Sequence, residues 1–132
     1  MIAPRRRSSD FFHGLESRTL FSNFAPVIVP TNLTATPLSS SEIRLTWTDT
    51  AVNELTYVIY RSTSVVPSTF QPVIMTTPGA EAWVDKTAVP GTQYFYKLRG
   101  VAHTATSAFS NLTNATSLTL AEDVFAKLDA NT

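Results

Sequence analysis

The sequence predicts an all-β chain folded as a two-sheet Greek-key sandwich, and three observations carry that expectation. From Pro30 onward, short runs rich in Thr, Val, Ile and Tyr recur roughly every ten residues, separated by Pro, Gly, Ser and Asn. Within several runs apolar and polar residues alternate with a period of two, as a half-buried strand requires. Cysteine is absent and 43% of the 132 residues are hydrophobic, enough to fill one core without disulfides but not two.

The first 29 residues differ in character from the rest of the chain. They hold no sustained period of 2 or 3.6, and combine Arg5, Arg6 and Arg7 with Ser8, Ser9 and scattered Phe at 11, 12, 21 and 24. The segment reads as a disordered N-terminal arm or targeting segment. It lacks the continuous apolar stretch and small-residue cleavage site of an ordinary signal peptide. Residues 15–22 nevertheless resemble the L-E-P-R-x-L-L motif near the N-terminus of many large exported bacterial proteins. Leu15, Glu16, Arg18 and Leu20 match, while Ser17 stands for the Pro and Phe21 for the final Leu. The alternative is an arm with no signal in it.

Seven strands are expected in the next stretch, 30–118, at 32–36, 42–48, 56–61, 71–76, 82–85, 93–101 and 111–118. In the second, Ile43, Leu45 and Trp47 alternate with Arg44, Thr46 and Thr48, so the apolar set faces inward. A slip of one residue would expose Trp47 and bury Arg44, which pins the register. In the third, Tyr57 and Ile59 face in and Val58 and Tyr60 out. In the long sixth strand Tyr94, Tyr96 and Leu98 face in, leaving Phe95, Lys97 and Arg99 outward. The turn before it, Val89-Pro90-Gly91-Thr92, pairs a residue with preset φ and one that tolerates positive φ. Tyr94 can then bury its ring while its hydroxyl returns to backbone just upstream, a tyrosine corner. The structural core is therefore expected at Trp47, Tyr57, Ile59, Trp83, Tyr94, Tyr96 and Leu98.

These residues form a recognisable set. Pro30, Leu33 and Ala35 open it; Trp47 follows; then Tyr57, Ile59 and Arg61; then Trp83, Asp85 and Thr87; then the block from Val89 to Leu98; then Ser110-Asn111. Together they resemble a fibronectin type III domain of the bacterial kind. That resemblance implies an immunoglobulin-like sandwich, covers about two thirds of the chain, and departs from the family's usual Leu at Val89 and its frequent Pro at Phe109.

Residues 119–132 switch to a helical period, with Leu120, Ala121, Val124, Phe125 and Leu128 on one face. The segment resembles the first helix of an EF-hand, with Asp129 and Asn131 at the first and third loop positions. The central Gly and closing Glu of a calcium loop are not present, so no calcium site is expected. Either this is a short acidic helix in its own right, or it begins a further domain.

Charge and composition exclude several classes. Formal net charge is zero, and no segment has the dense basic field of a nucleic-acid binder. No run of eighteen apolar residues occurs to span a membrane. His13 and His103 are the two imidazoles, little material for a metal site or catalytic triad. No G-x-S-x-G elbow surrounds any Ser, and the four Gly form no phosphate loop. Asp49, Glu54, Glu81 and Asp85 fall at strand ends and turns, where carboxylates accept backbone hydrogen bonds. Catalytic, cofactor-binding and metal-binding residues are thus all expected to be none. Glycosylation-type sequons stand at Asn32, Asn111 and Asn114.

Surface recognition is what remains. Val58, Tyr60 and Phe95 beside Lys97 and Arg99 form an apolar patch with a basic edge, either a partner surface or ordinary cross-strand pairing. The expected role is a non-enzymatic, monomeric interaction or spacer module of an exported or cell-surface bacterial protein. The alternative is an accessory module of an extracellular polysaccharide-acting enzyme. Its partners would be neighbouring domains, other proteins or polysaccharide. The cytoplasm remains the other compartment compatible with the composition.

Overall fold

The structure is a computed structural model that describes residues 27–50, 56–102 and 105–130. The strands are β1 (Thr31–Pro37), β2 (Ile43–Thr48), β3 (Thr56–Ser62), β4 (Gln71–Met75), β5 (Ala82–Asp85), β6 (Gln93–Ala102), β7 (Ala105–Thr106) and β8 (Thr113–Thr116), followed by the helix α1 (Leu120–Ala130). They pair antiparallel into two sheets, a three-stranded one in the order β1-β2-β5 and a five-stranded one in the order β4-β3-β6, with β7 and β8 both on β6. The chain crosses between sheets after β2, after β4 and after β5, which makes the Greek-key sandwich. The N-terminal motif at 15–22 lies outside the described residues, as do Glu54 and His103.

Two strand assignments change. The two-residue β7 extends the sheet where the chain turns back from β6, with Val101 opposite Thr106; a run that short leaves no periodic trace. The expected seventh strand, 111–118, is a strand only over β8. Its ends are diverted, because side chains and the corner before β6 claim them.

At one end, Asn111 substitutes for a neighbouring strand along the free edge of β1. Its Oδ1 accepts the Leu33 N–H at 3.0 Å and its Nδ2 donates to the Leu33 carbonyl at 3.0 Å. That edge is irregular: the β1–β2 register shifts between Thr31 and Thr34, and Asn32 sits at φ 59, a left-handed conformation that Asn tolerates better than most residues. Replacing Asn111 by Ala strands both Leu33 groups, and a loss of about 2 kcal/mol is expected in urea unfolding.

At the other end, Ser117 and Leu118 fasten the corner that leads into β6. Gly91, at φ 64, donates its N–H to the Leu118 carbonyl at 3.0 Å, and Thr92 donates to the Ser117 hydroxyl at 3.1 Å. Any other residue at Gly91 would be held at a strained φ, its Cβ in contact with Thr119 Cγ2 at 3.4 Å. Tyr94 closes the corner, its hydroxyl accepting the Val89 N–H at 2.9 Å. Tyr94→Phe keeps the buried ring and leaves that N–H without its acceptor, a change expected to cost about 1 to 2 kcal/mol, read as a shift in the denaturation midpoint.

Between the sheets lies one core. Leu33, Ile43, Leu45 and Trp47 meet Tyr57, Ile59, Tyr94, Tyr96, Leu98 and Ala115, all buried. Trp47 and Tyr57 pack edge to face with ring centroids 5.7 Å apart. Trp83, read from the sequence as a core residue, is half-buried and packs against the margin of this cluster, because β5 is the edge strand of its sheet.

The helix attaches to this body by polar contacts. Thr119 and Glu122 form a reciprocal capping box, the Thr119 hydroxyl accepting the Glu122 N–H at 3.1 Å and Glu122 Oε1 accepting the Thr119 N–H at 3.2 Å. Asp123 Oδ2 accepts from the Ser40 hydroxyl at 2.7 Å and the Ser40 amide at 3.2 Å, in the turn between β1 and β2. Those bonds, the hydroxyl's first, hold the Asp123 carboxyl below its usual range. The apolar face turns outward, with Leu120, Val124, Phe125 and Leu128 each more than half exposed. The Asp129 side chain and Asn131 lie outside the described residues.

Candidate functional site

Two clusters concentrate the ionisable and aromatic side chains. The first joins the sheets. By the period of two, Asp85 follows Trp83 onto the inward face of β5, and it is fully buried. A buried carboxylate needs partners, and Asp85 has a full set. Its Oδ2 accepts from Arg61 Nη1 and from the Tyr96 hydroxyl, both at 2.8 Å, and its Oδ1 accepts from the Thr87 amide at 2.9 Å and hydroxyl at 2.7 Å. Arg61 also donates to the Thr87 hydroxyl and lies over the Tyr94 ring at 4.8 Å.

Electrostatics follow from this arrangement. Burial alone would raise the Asp85 pKa, but the Thr87 hydroxyl and amide, then Arg61 and Tyr96, outweigh it and hold the carboxyl below its usual range. Burial, then the bond to Asp85, pushes the Tyr96 phenol up. Accepting four hydrogen bonds, Asp85 is a tie between β5 and the facing strands β3 and β6. Because its pKa is lower folded than unfolded, its charge supports the fold above the unfolded value near 4, and that support drains away as pH falls through the folded value. Urea stability measured from pH 7 to pH 3 is expected to decline, with a shallower slope in Asp85→Asn.

The second cluster is the outer face of the five-stranded sheet. Pairing of β3 with β6 sets Tyr60 opposite Lys97, Val58 opposite Arg99 and Ser62 opposite Phe95. Val58, Tyr60, Phe95, Lys97 and Arg99 are therefore brought together on one surface, each half-buried. Two rings from connecting segments join them, Phe70 ahead of β4 and Phe109 ahead of β8. Lys97 Nζ lies 4.4 Å from the Phe70 ring centre and 4.1 Å from that of Phe109. The Arg99 guanidinium is 4.9 Å from Phe109 and 5.3 Å from Tyr60, and Nη2 donates to the Tyr60 hydroxyl at 2.9 Å. Tyr60 and Phe109 meet edge to face at 5.1 Å. Two cations are thus lined up along β6 and held by rings.

Sequence reasoning reached the five strand residues but not Phe70 and Phe109, whose connecting segments carry no period that would place them. It also noted Arg61 and Asp85 without pairing them; the inward position of Asp85 was the available signal. Among the described residues no group of three or more His, Asp or Glu side chains is arranged to hold a metal ion, and no helix is long and apolar enough to cross a membrane.

No protein-family model matches the chain, and no curated protein sequence matches it. Solved structures do. The chain is similar to an Fn3-like protein from Clostridium thermocellum, at 23% identity over 68% of this chain and 92% of that one, with a TM-score of 0.59. It is similar to the fibronectin type-III domain of human fibronectin type III domain containing protein 3, at 15% identity over 73% and 90%, with a TM-score of 0.61. Pectate lyase Pel3 from Pectobacterium carotovorum is a third, at 21% identity over 67% of this chain and 26% of the lyase, with a TM-score of 0.58. The chain therefore spans about a quarter of that enzyme. At these identities the likeness is one of fold, and the fold is that of a fibronectin type III domain.

Proposed function

We propose that this chain is a non-catalytic interaction and spacer module of an exported or cell-surface protein. The observation that carries the reading is the path of the backbone. β1 starts at the Thr31–Thr48 end of its sheet. The helix after the last strand meets Ser40 in the turn at the other end. Entry and exit are separated by the length of a strand, about 20 Å. The inter-sheet tie at Asp85 makes that span stiff, and the ionisable groups best placed for chemistry are consumed in building it. The export setting rests on the partial motif at 15–22. Fractionating cells that express the tagged full chain tests the setting: recovery outside the cytoplasm is expected, and purely cytosolic recovery would overturn it.

A second reading, the accessory module of an extracellular polysaccharide-acting enzyme, is favoured by the similarity to a quarter-length stretch of a pectate lyase. A glycoside-cleaving domain in the same reading frame as this module would support it.

A further inference from the structure

The five strands β4, β3, β6, β7 and β8 contain Arg61, Lys97 and Arg99 and not one Asp or Glu. Arg61 is neutralised by Asp85. Lys97 and Arg99 make no ion pair among the described residues, and Arg99 Nε is buried without a hydrogen-bond partner. On a chain of zero net charge, this sheet is therefore a positive face, the acids among the described residues standing on the other sheet, in the connecting segments and on the helix. The two cations are two residues apart on one strand, about 7 Å along it, and rings fix both of them in place. That fixing lowers the ordering cost a flexible lysine or arginine ordinarily incurs on binding.

We propose that the outer face of the five-stranded sheet binds a carboxylated polysaccharide, with Lys97 and Arg99 pairing its carboxylates and Tyr60, Phe95 and Phe109 presenting apolar ring surface to the sugars. The inference rests on the reading of the chain as an interaction module and names the ligand class of that module. Charge complementarity selects an anion with repeated charges. The middle of the face selects against an added peptide strand, because β3 is already hydrogen-bonded to β4 on one side and β6 on the other. A chain that is recognised by side chains alone, through carboxylates and the C–H faces of its rings, fits what is left. Two cations are too few for the dense phosphate ladder of a nucleic acid.

The test uses the full chain and alginate as the polyuronate probe, titrated by calorimetry at low ionic strength. Binding that weakens with salt is expected, with at least a tenfold loss in Lys97→Gln/Arg99→Gln and no change in Arg44→Gln/Lys86→Gln, which removes the same charge elsewhere. Alginate esterified with propylene glycol is expected not to bind. Circular dichroism checks that both variants fold. A second measurement needs no variant: alginate is expected to slow acetylation of Lys97 and to leave Lys86 and Lys127 unaffected. No binding of alginate, equal losses in the two double variants, or unprotected Lys97 would each overturn the proposal. Equal or tighter binding of poly-glutamate would also overturn it, assigning the face to an acidic protein. A protein recovered outside the cytoplasm that ignores alginate defeats the ligand and leaves the spacer reading standing.

Discussion

Replacing Asp85 by Ala is expected to lower stability by about 3 to 5 kcal/mol, the range for removing one partner from a buried ion pair. The loss has several parts. The Tyr96 hydroxyl, on a residue with 0% exposure, is left with no acceptor; the Arg61 guanidinium, its side chain 24% exposed, keeps a partly desolvated charge with no counter-charge; and the Thr87 amide loses its acceptor. Three strands from two sheets lose their common fastening. The pair's net worth is smaller than the penalty for breaking it, so Arg61→Met/Asp85→Leu is expected to be less damaging than Asp85→Ala alone. Equilibrium denaturation of Arg61→Met, Asp85→Leu and the double variant against the parent forms the cycle. A single variant within about 0.5 kcal/mol of the parent would show that the tie contributes no more than an ordinary surface contact.

Trp47→Ala is the other large effect. It removes a side chain only 4% exposed from the centre of the core and leaves a cavity against Tyr57, at an expected cost of about 3 to 5 kcal/mol. The indole also carries a penalty of its own, since Nε1 is buried with no hydrogen-bond partner. Trp47→Phe therefore trades lost ring volume against relief of that orphaned donor, and its cost is expected to be well below that of the alanine variant. Far-UV circular dichroism in guanidinium is the suitable reading, because the fluorescence of Trp83 persists in both variants. Equal costs for Phe and Ala would mean that the second ring of the indole, not the volume of the first, is what the core requires.

How much of this was legible beforehand depended on distance along the chain. The facing of β2 and β6 could be read directly, because alternation is a local property and the pleat converts it into burial with no further information. The Pro90-Gly91 turn and the return of the Tyr94 hydroxyl to Val89 were legible for the same reason, since that bond spans five positions; the bonds from Gly91 and Thr92 to Leu118 and Ser117 were not. The expected partner residues on the outer face were also found together, because they are alternate residues on two strands that pair.

The misses lie where partners are far apart in sequence. Asn111 looked like the start of a strand, and it instead clamps Leu33, 78 positions away. Asp123 looked like one more acid on a helix, and it instead docks that helix to Ser40 across 83 positions. Phe109 stood out only as a departure from a family pattern, yet its ring lies within 5 Å of both cations of β6. Trp83 had the composition of a core residue, but only the order of strands could show that β5 is an edge.

Alternation, turn chemistry and composition thus specify a two-sheet sandwich with a given set of residues inside, since each acts over a few bonds. The pairing of Arg61 with Asp85, the ring-held cations of the outer face and the outward turn of the helix's apolar stripe came from the closing of the two sheets. Each joins side chains that the chain brings near one another only once long-range backbone pairing has been made.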